Sequence, residues 1–105
     1  MFNDTRVVYK YPIAAGGVTR IKGWFSRVLA VGEQDGELVL WAENSLTRTD
    51  FHTGEKVLKS EDEKIEIEVL VIGTGWNYIE NTAGIYIGTV QMSDGLVWHV
   101  FVKPW

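Results

Sequence analysis

Glycine punctuation constrains this chain more than any other feature. Runs of β-branched and aromatic residues recur along its 105 residues, separated by turns that draw on eleven glycines and only two prolines. Apolar and polar side chains alternate in several of these runs, which is the period of a half-buried strand and not of a helix. Residues 6–11 (RVVYKY) read as a first strand, closed by Pro12 and the Gly16-Gly17 turn, and residues 18–22 (VTRIK) as a second, ended by Gly23. Residues 26–31 (SRVLAV) and 37–42 (ELVLWA) flank Gln34-Asp35-Gly36. Asp-Gly between apolar runs predicts a tight hairpin, because both residues tolerate positive φ. Residues 65–72 (IEIEVLVI) alternate in their first half and become apolar on both faces in their second, so this strand enters a buried centre. Gly73-Thr74-Gly75 breaks it as a bulge or turn. Residues 85–90 and 96–102 form a last hairpin about Ser93-Asp94-Gly95, with Pro104 ending the ladder.

About seven short strands in antiparallel succession predict an all-β domain with at most one short helix, near residues 76–83. The expected architecture is a small meander folded into a sandwich or a partly open barrel. The polar stretch 43–64 interrupts it with Glu61-Asp62-Glu63 and four large apolar residues, Leu46, Phe51, Val57 and Leu58. It is expected to be an excursion, either a hairpin about His52-Thr53-Gly54 or a mobile loop. The last strand is apolar on both sides, with Leu96, Trp98, Val100 and Val102 on one and Val97 and Phe101 on the other. Its second face needs a cover. The connector or a short helix is expected to supply it, and a second copy of the chain is the alternative.

Composition narrows the chemistry. There is no cysteine, so disulfides, thiolate metal sites and cysteine nucleophiles are excluded. No apolar run approaches the roughly 20 residues of a spanning helix. The first residues show no basic segment followed by an apolar one, so a cytoplasmic location is expected. The net charge of −4 is uneven: residues 1–32 carry +4 and residues 33–105 carry −8. An acidic protein repels bulk nucleic acid, although the basic strip near the start keeps a local contact open.

Two kinds of residue stand out as candidates for binding. In residues 19–27 (TRIKGWFSR), Arg20, Lys22 and Arg27 surround Trp24 and Phe25. That mixture can stack bases while holding phosphates, or anchor a protein partner, or simply place the rings in the core. Trp76 and Tyr78 would extend it into an aromatic patch if they lay beside Trp24. Trp41 and Trp98, within strands, are expected to be buried, whereas Trp24, Trp76 and Trp105 sit at turns or the terminus. His99, between Trp98 and Val100, reads as a hydrogen-bonded structural residue, and only an adjoining acid such as Glu80 would give it catalytic meaning. His52, with Asp50 and Glu55, falls short of a zinc set, and the acids at 61–68 form no calcium loop. No metal, cofactor or catalytic residue is expected.

Several segments together resemble a family of small uncharacterised proteins encoded by bacteriophages and their bacterial hosts. They are Val8-Tyr9-Lys10-Tyr11-Pro12, Val39-Leu40-Trp41-Ala42, Gly73-Thr74-Gly75, Tyr86-Ile87-Gly88-Thr89-Val90-Gln91 and Gly95-Leu96-Val97-Trp98-His99-Val100-Phe101. After Gly-Thr-Gly this chain has Trp76-Asn77 where the family pattern has His-Pro. The resemblance implies a phage or prophage setting, hence the host cytoplasm, and no reaction. With it, the expected function is that of a non-enzymatic accessory protein binding a host or phage protein, with a homodimer also open. The alternative is a small nucleic-acid-binding barrel using segment 19–27.

Overall fold

The computed structural model of the chain describes residues 3–103 and shows nine strands in three antiparallel sheets. The first sheet holds β1 (Arg6–Pro12), β4 (Glu37–Ser45) and β3 (Phe25–Gln34), in that order. The second holds β2 (Gly17–Gly23), β7 (Ile65–Gly73), β9 (Val97–Lys103) and β8 (Ile85–Gln91). A two-stranded ribbon, β5 (Thr47–Thr49) with β6 (Lys56–Leu58), stands apart from both. One helical turn, α1 (Glu80–Ala83), and a 3-10 turn at Glu61–Glu63 complete the described residues. Pro104 and Trp105 lie outside them.

The two larger sheets face each other as a small sandwich, and the core is their shared interior. Leu38, Leu40 and Ala42 of β4 belong to the same buried cluster as Ile67, Val69 and Val71 of β7 and Trp98, Val100 and Val102 of β9. Ile13, Phe25, Val90 and Met92 complete that cluster. Burial of this kind is worth roughly 25 cal/mol per Å² of apolar surface. The sandwich is not closed into a barrel. Along one side β3 lies against β8, where Val31 Cγ2 would be only 3.1 Å from a Cβ at Gly88. The Glu33 carboxylate there accepts hydrogen bonds from the Ser93 backbone N–H (3.0 Å) and hydroxyl (2.8 Å). No ladder joins these two strands.

Local turn chemistry is as expected. Asp35 and Gly36 both have positive φ (53° and 80°), so β3 and β4 form the predicted tight hairpin. Gly75 (φ 86°) is the third residue of a turn closed by Trp76 N–H to Gly73 O at 3.1 Å, the position at which a type II turn requires glycine. Strand order departs from a simple meander at two places. β1 pairs with β4, not β2, and β2 pairs with β7, about forty residues further on. Consecutive strands β1, β2 and β3 therefore alternate between the two sheets, turning corners at residues 13–16 and at Gly23-Trp24.

The excursion is an ordered hairpin. The Asp50 carboxylate accepts from the backbone N–H groups of His52 (2.8 Å) and Thr53 (3.3 Å), and Asp50 N–H bonds to Glu55 O at 2.8 Å. Its base is held to the start of the chain through Leu46 N–H to Thr5 O (2.9 Å) and the buried Thr47 hydroxyl to Asp4 (2.9 Å). Trp98 is buried, as expected, but Trp41 is not. It occupies the opposite parity from Leu40 and Ala42 and lies over Gly32 on the outer face of the first sheet.

The second face of β9 receives an intramolecular cover, but a partial one. Tyr78 and Tyr86 pack on Phe101 with ring centroids 5.5 and 5.6 Å away, and Ala83 of α1 is buried. Gly84 makes this docking possible: its φ is +74°, and an added Cβ would fall 2.5 Å from the Val102 carbonyl oxygen. Gly84→Ala is therefore expected to cost about 2 kcal/mol or more, lowering Tm by about 10 °C. Gly36→Ala, with φ +80° but open space around it, should cost only about 1 kcal/mol. Thermal unfolding of the two variants side by side checks this.

Candidate functional site

The corner between β2 and β3 builds a polar recess. A chain leaving one sheet for the other exposes backbone groups that must be satisfied. Here Asn44, the fully buried polar residue of β4, satisfies them: its Oδ1 accepts from Trp24 N–H at 2.8 Å, and its Nδ2 donates to Ala42 O (3.3 Å) and the Tyr11 hydroxyl (3.2 Å). The Trp24 carbonyl in turn accepts from Ser45 N–H at 2.8 Å. Gly23 has no space for a side chain, since a Cβ would lie 2.8 Å from both Asn44 Oδ1 and the Tyr11 hydroxyl. In front of this corner a cleft of about 280 Å³ opens between β1 and β2, lined by Tyr9, Tyr11, Lys22, Trp24, Glu61 and Lys64 besides the corner itself. Burial holds the Tyr11 phenol above its ordinary pKa, so it stays a hydroxyl.

The predicted binding residues do not form one patch. Trp24 is half-buried, its indole N–H donates to Ser60 O at 2.8 Å, and the Lys64 ammonium lies 4.7 Å from its ring centre. Lys22 lines the same cleft. Phe25 is buried in the core and packs against Tyr11 with tilted rings, centroids 5.5 Å apart. Arg20 is paired with Glu68 across the strands (3.2 Å) and Arg27 with Glu43 (3.5 Å), so both guanidiniums face a carboxylate and not open solvent alone. Trp76 is at the other end of β2: it covers Gly16 and Gly73 and meets Trp98 edge-on at 5.4 Å. The length of β2, about 20 Å at strand rise, separates it from Trp24. Trp76 caps the core and does not lie beside Trp24, so the condition for a joint aromatic patch is not met.

Tyr78 belongs to a different surface. On the outward side of the second sheet the register aligns Val18 of β2 with Leu70 of β7, Leu70 with Phe101 of β9, and Phe101 with Tyr86 of β8. This apolar row crosses all four strands, with Tyr78 seated on it. Val18, Tyr78 and Tyr86 are each about half exposed, at 52%, 49% and 54%. Beside the row, His99 is hydrogen-bonded at both ring nitrogens, Nε2 with the Thr74 hydroxyl (2.8 Å) and Nδ1 with the Thr89 hydroxyl (3.0 Å). Thr89 is linked onward to the Tyr86 hydroxyl. Among the described residues these two hydroxyls hold the His99 ring, and Glu80 is not one of its partners.

Two larger hollows, of about 340 and 380 Å³, share Leu96 and Trp98 at the opposite end of the sandwich from the Trp24 corner. Among the described residues no three His, Asp or Glu side chains gather as metal ligands. Sequence reasoning missed Tyr9, Tyr11, Asn44 and Lys64 in the cleft, and Val18, Leu70 and Tyr86 on the sheet face. Nothing local marks them, because each site is assembled from strands far apart in sequence.

Glu43 shows how the charges of this region are balanced. The Ser26 hydroxyl donates to its carboxylate at 2.8 Å, and Arg6 (3.3 Å) and Arg27 (3.5 Å) flank it. Hydrogen bonding from Ser26 first, then the two guanidinium charges, outweigh partial desolvation and hold its pKa below the ordinary value. A depressed carboxylate stabilises the fold above its unfolded pKa and loses that contribution as pH falls through its folded pKa. Glu43→Gln should therefore be less stable than the parent at neutral pH, with the gap closing under acid conditions below about pH 4. Urea midpoints measured across that range check the sign.

No curated protein and no solved structure matches the chain. One family does: the family described as a domain of unknown function, DUF7352, matches residues 4–104, and the chain belongs to it.

Proposed function

We propose that this protein is a small, non-enzymatic accessory protein of phage or prophage origin that acts by binding another protein, of the host or the phage. The observation that carries the reading is the apolar row on the outer face of the second sheet. Val18, Leu70, Phe101 and Tyr86 are contiguous by register, Tyr78 is seated on them, and the intramolecular cover leaves three of the five about half exposed. A contiguous apolar surface rimmed by charge is the usual mark of a protein contact. Here the rim is the cross-strand row Arg20, Glu68 and Lys103. Tyrosine supplies large contact area at small entropic cost, which is why it dominates binding energy in such surfaces.

The remaining features support a binding role over a catalytic one. His99 is engaged by two threonine hydroxyls, neither of which can act as the charged partner of a general base. Glu43, Glu63 and Glu68 are committed to arginines. The phage setting is supported by the resemblance in the final hairpin, residues 86–101.

Replacing Tyr78 and Tyr86 together by Ala tests the reading, since neither ring is in the buried cluster. Affinity capture from the host cell should recover a defined protein with the parent chain. The double variant should bind that purified protein about tenfold or more weakly, with an unchanged far-ultraviolet spectrum. Equal affinity of parent and variant for the captured protein would remove this surface from the function. Sedimentation distinguishes the case in which the captured protein is a second copy of the chain.

A further inference from the structure

The cleft between β1 and β2 is separate from that surface, and its chemistry points to a ligand of its own. Along the β3–β8 side the sheets close on each other, whereas on the other side β1 and β2 are the edge strands and the cleft opens between them. The inner-face residues Tyr9 and Tyr11 of β1 therefore look into a recess and not onto an opposing strand. Its volume of about 280 Å³ lies at the lower limit for ligand pockets, enough for one ring and a short arm. Three aromatic side chains, Tyr9, Tyr11 and Trp24, line it.

Its polar groups favour an anion. Lys64 is tied to Glu61 at 2.9 Å and spread over Trp24, so that pair is internally neutral. Lys22 is different. Among the described residues no carboxylate lies within ion-pair distance of its ammonium, although Glu66 is its cross-strand neighbour. The Tyr11 hydroxyl is likewise underused as a donor. Its oxygen accepts from Asn44 Nδ2 at 3.2 Å, while its own proton has only Asn44 Oδ1 at 3.4 Å, an acceptor already taken at 2.8 Å by Trp24 N–H. A carboxylate would offer that proton a shorter, charge-assisted bond. The missing side chain at Gly23 keeps the approach to it open.

We infer that this cleft binds a carboxylate carried one or two carbons from an aromatic ring, with the Tyr11 hydroxyl on the carboxylate, Lys22 at the rim supplying the positive charge, and the aromatic walls around the ring. A free aromatic acid and the C-terminal aromatic residue of a peptide share this chemistry. The probes are accordingly 4-hydroxyphenylacetate and a short peptide ending in Phe, each beside its uncharged amide, titrated into the full chain labelled with ¹⁵N.

At least one acid should saturate in the millimolar range or below, shifting the Gly23, Trp24 and Asn44 amides, and its amide should bind about tenfold more weakly. Which acid binds tighter identifies the source of the carboxylate. Lys22→Gln changes an exposed side chain and should weaken the acid about fivefold while leaving the amide unaltered. Gly23→Ala should narrow the cleft, and the Lys22 variant decides the matter if that chain does not fold. No saturable shift up to about 20 mM, or equal binding of acid and amide, overturns the inference. Neither result bears on the Tyr78 and Tyr86 surface, which the capture experiment tests separately.

Discussion

The corner at Gly23-Trp24 is the constraint on which the rest of the structure depends. β2 leaves the second sheet and β3 enters the first within two residues, so the backbone of Trp24 between them belongs to neither ladder. Asn44 replaces the lost ladder bond with a side-chain acceptor 2.8 Å from Trp24 N–H, in a position with no access to water. A buried amide left without its partner would cost about 1–3 kcal/mol, a large share of the stability of a domain this size. Gly23 is fixed by the same contact, because any Cβ would strike the Asn44 oxygen. The two sheets are thus pinned to each other at one end by this hydrogen bond, on the β3–β8 side by the Glu33–Ser93 hydrogen bonds, and between these by apolar packing.

From that pin follows the charge arrangement. Once β2 is delivered to the edge of the second sheet, its register with β7 sets Arg20 beside Glu68 and Lys22 opposite Glu66. Once β3 is delivered to the first sheet, Arg27 meets Glu43. The basic start and the acidic remainder of the chain are therefore interleaved in space, which disperses the asymmetry visible along the sequence. Exposed pairs of this kind contribute little stability each, and their larger effect is on strand register and on the field presented to a ligand.

Much of the architecture was legible in the residues. Gln34-Asp35-Gly36 needed two positive φ values and has them, and the alternation in residues 96–102 placed Trp98, Val100 and Val102 inward as observed. The pairing of β1 with β4 and β2 with β7 was not legible, since period two tells which face a side chain takes but not which strand lies alongside. Trp41 was misjudged for a related reason: in ELVLWA every residue but the first is apolar, so no parity can be read. The hairpin at 47–58 was foreseen only as one of two outcomes, because strands of three residues leave almost no periodic signal. The cleft had no local signature at all beyond Lys22 and Trp24, as it draws on β1, β2, β4 and the 3-10 turn.

Shape explains why aromatic side chains remain at the surface. The molecule measures 53 × 31 × 17 Å with a radius of gyration of 16.0 Å, where a compact domain of this length would have about 13 Å. A flat body of two thin sheets has one interior layer, and thirteen aromatic residues exceed what that layer can enclose. Phe25 and Trp98 occupy it. Others lie where the sandwich is incomplete, and two such places concern binding: the outward side of the second sheet, which has no third layer, and the cleft between β1 and β2. The first is a broad apolar row bearing two tyrosines and rimmed by Arg20, Glu68 and Lys103, and so is suited to another folded surface. The second is narrow, with an ammonium and a phenol beside the rings, and suits one small charged group. The same topology that prevents closure into a barrel therefore separates the two kinds of contact.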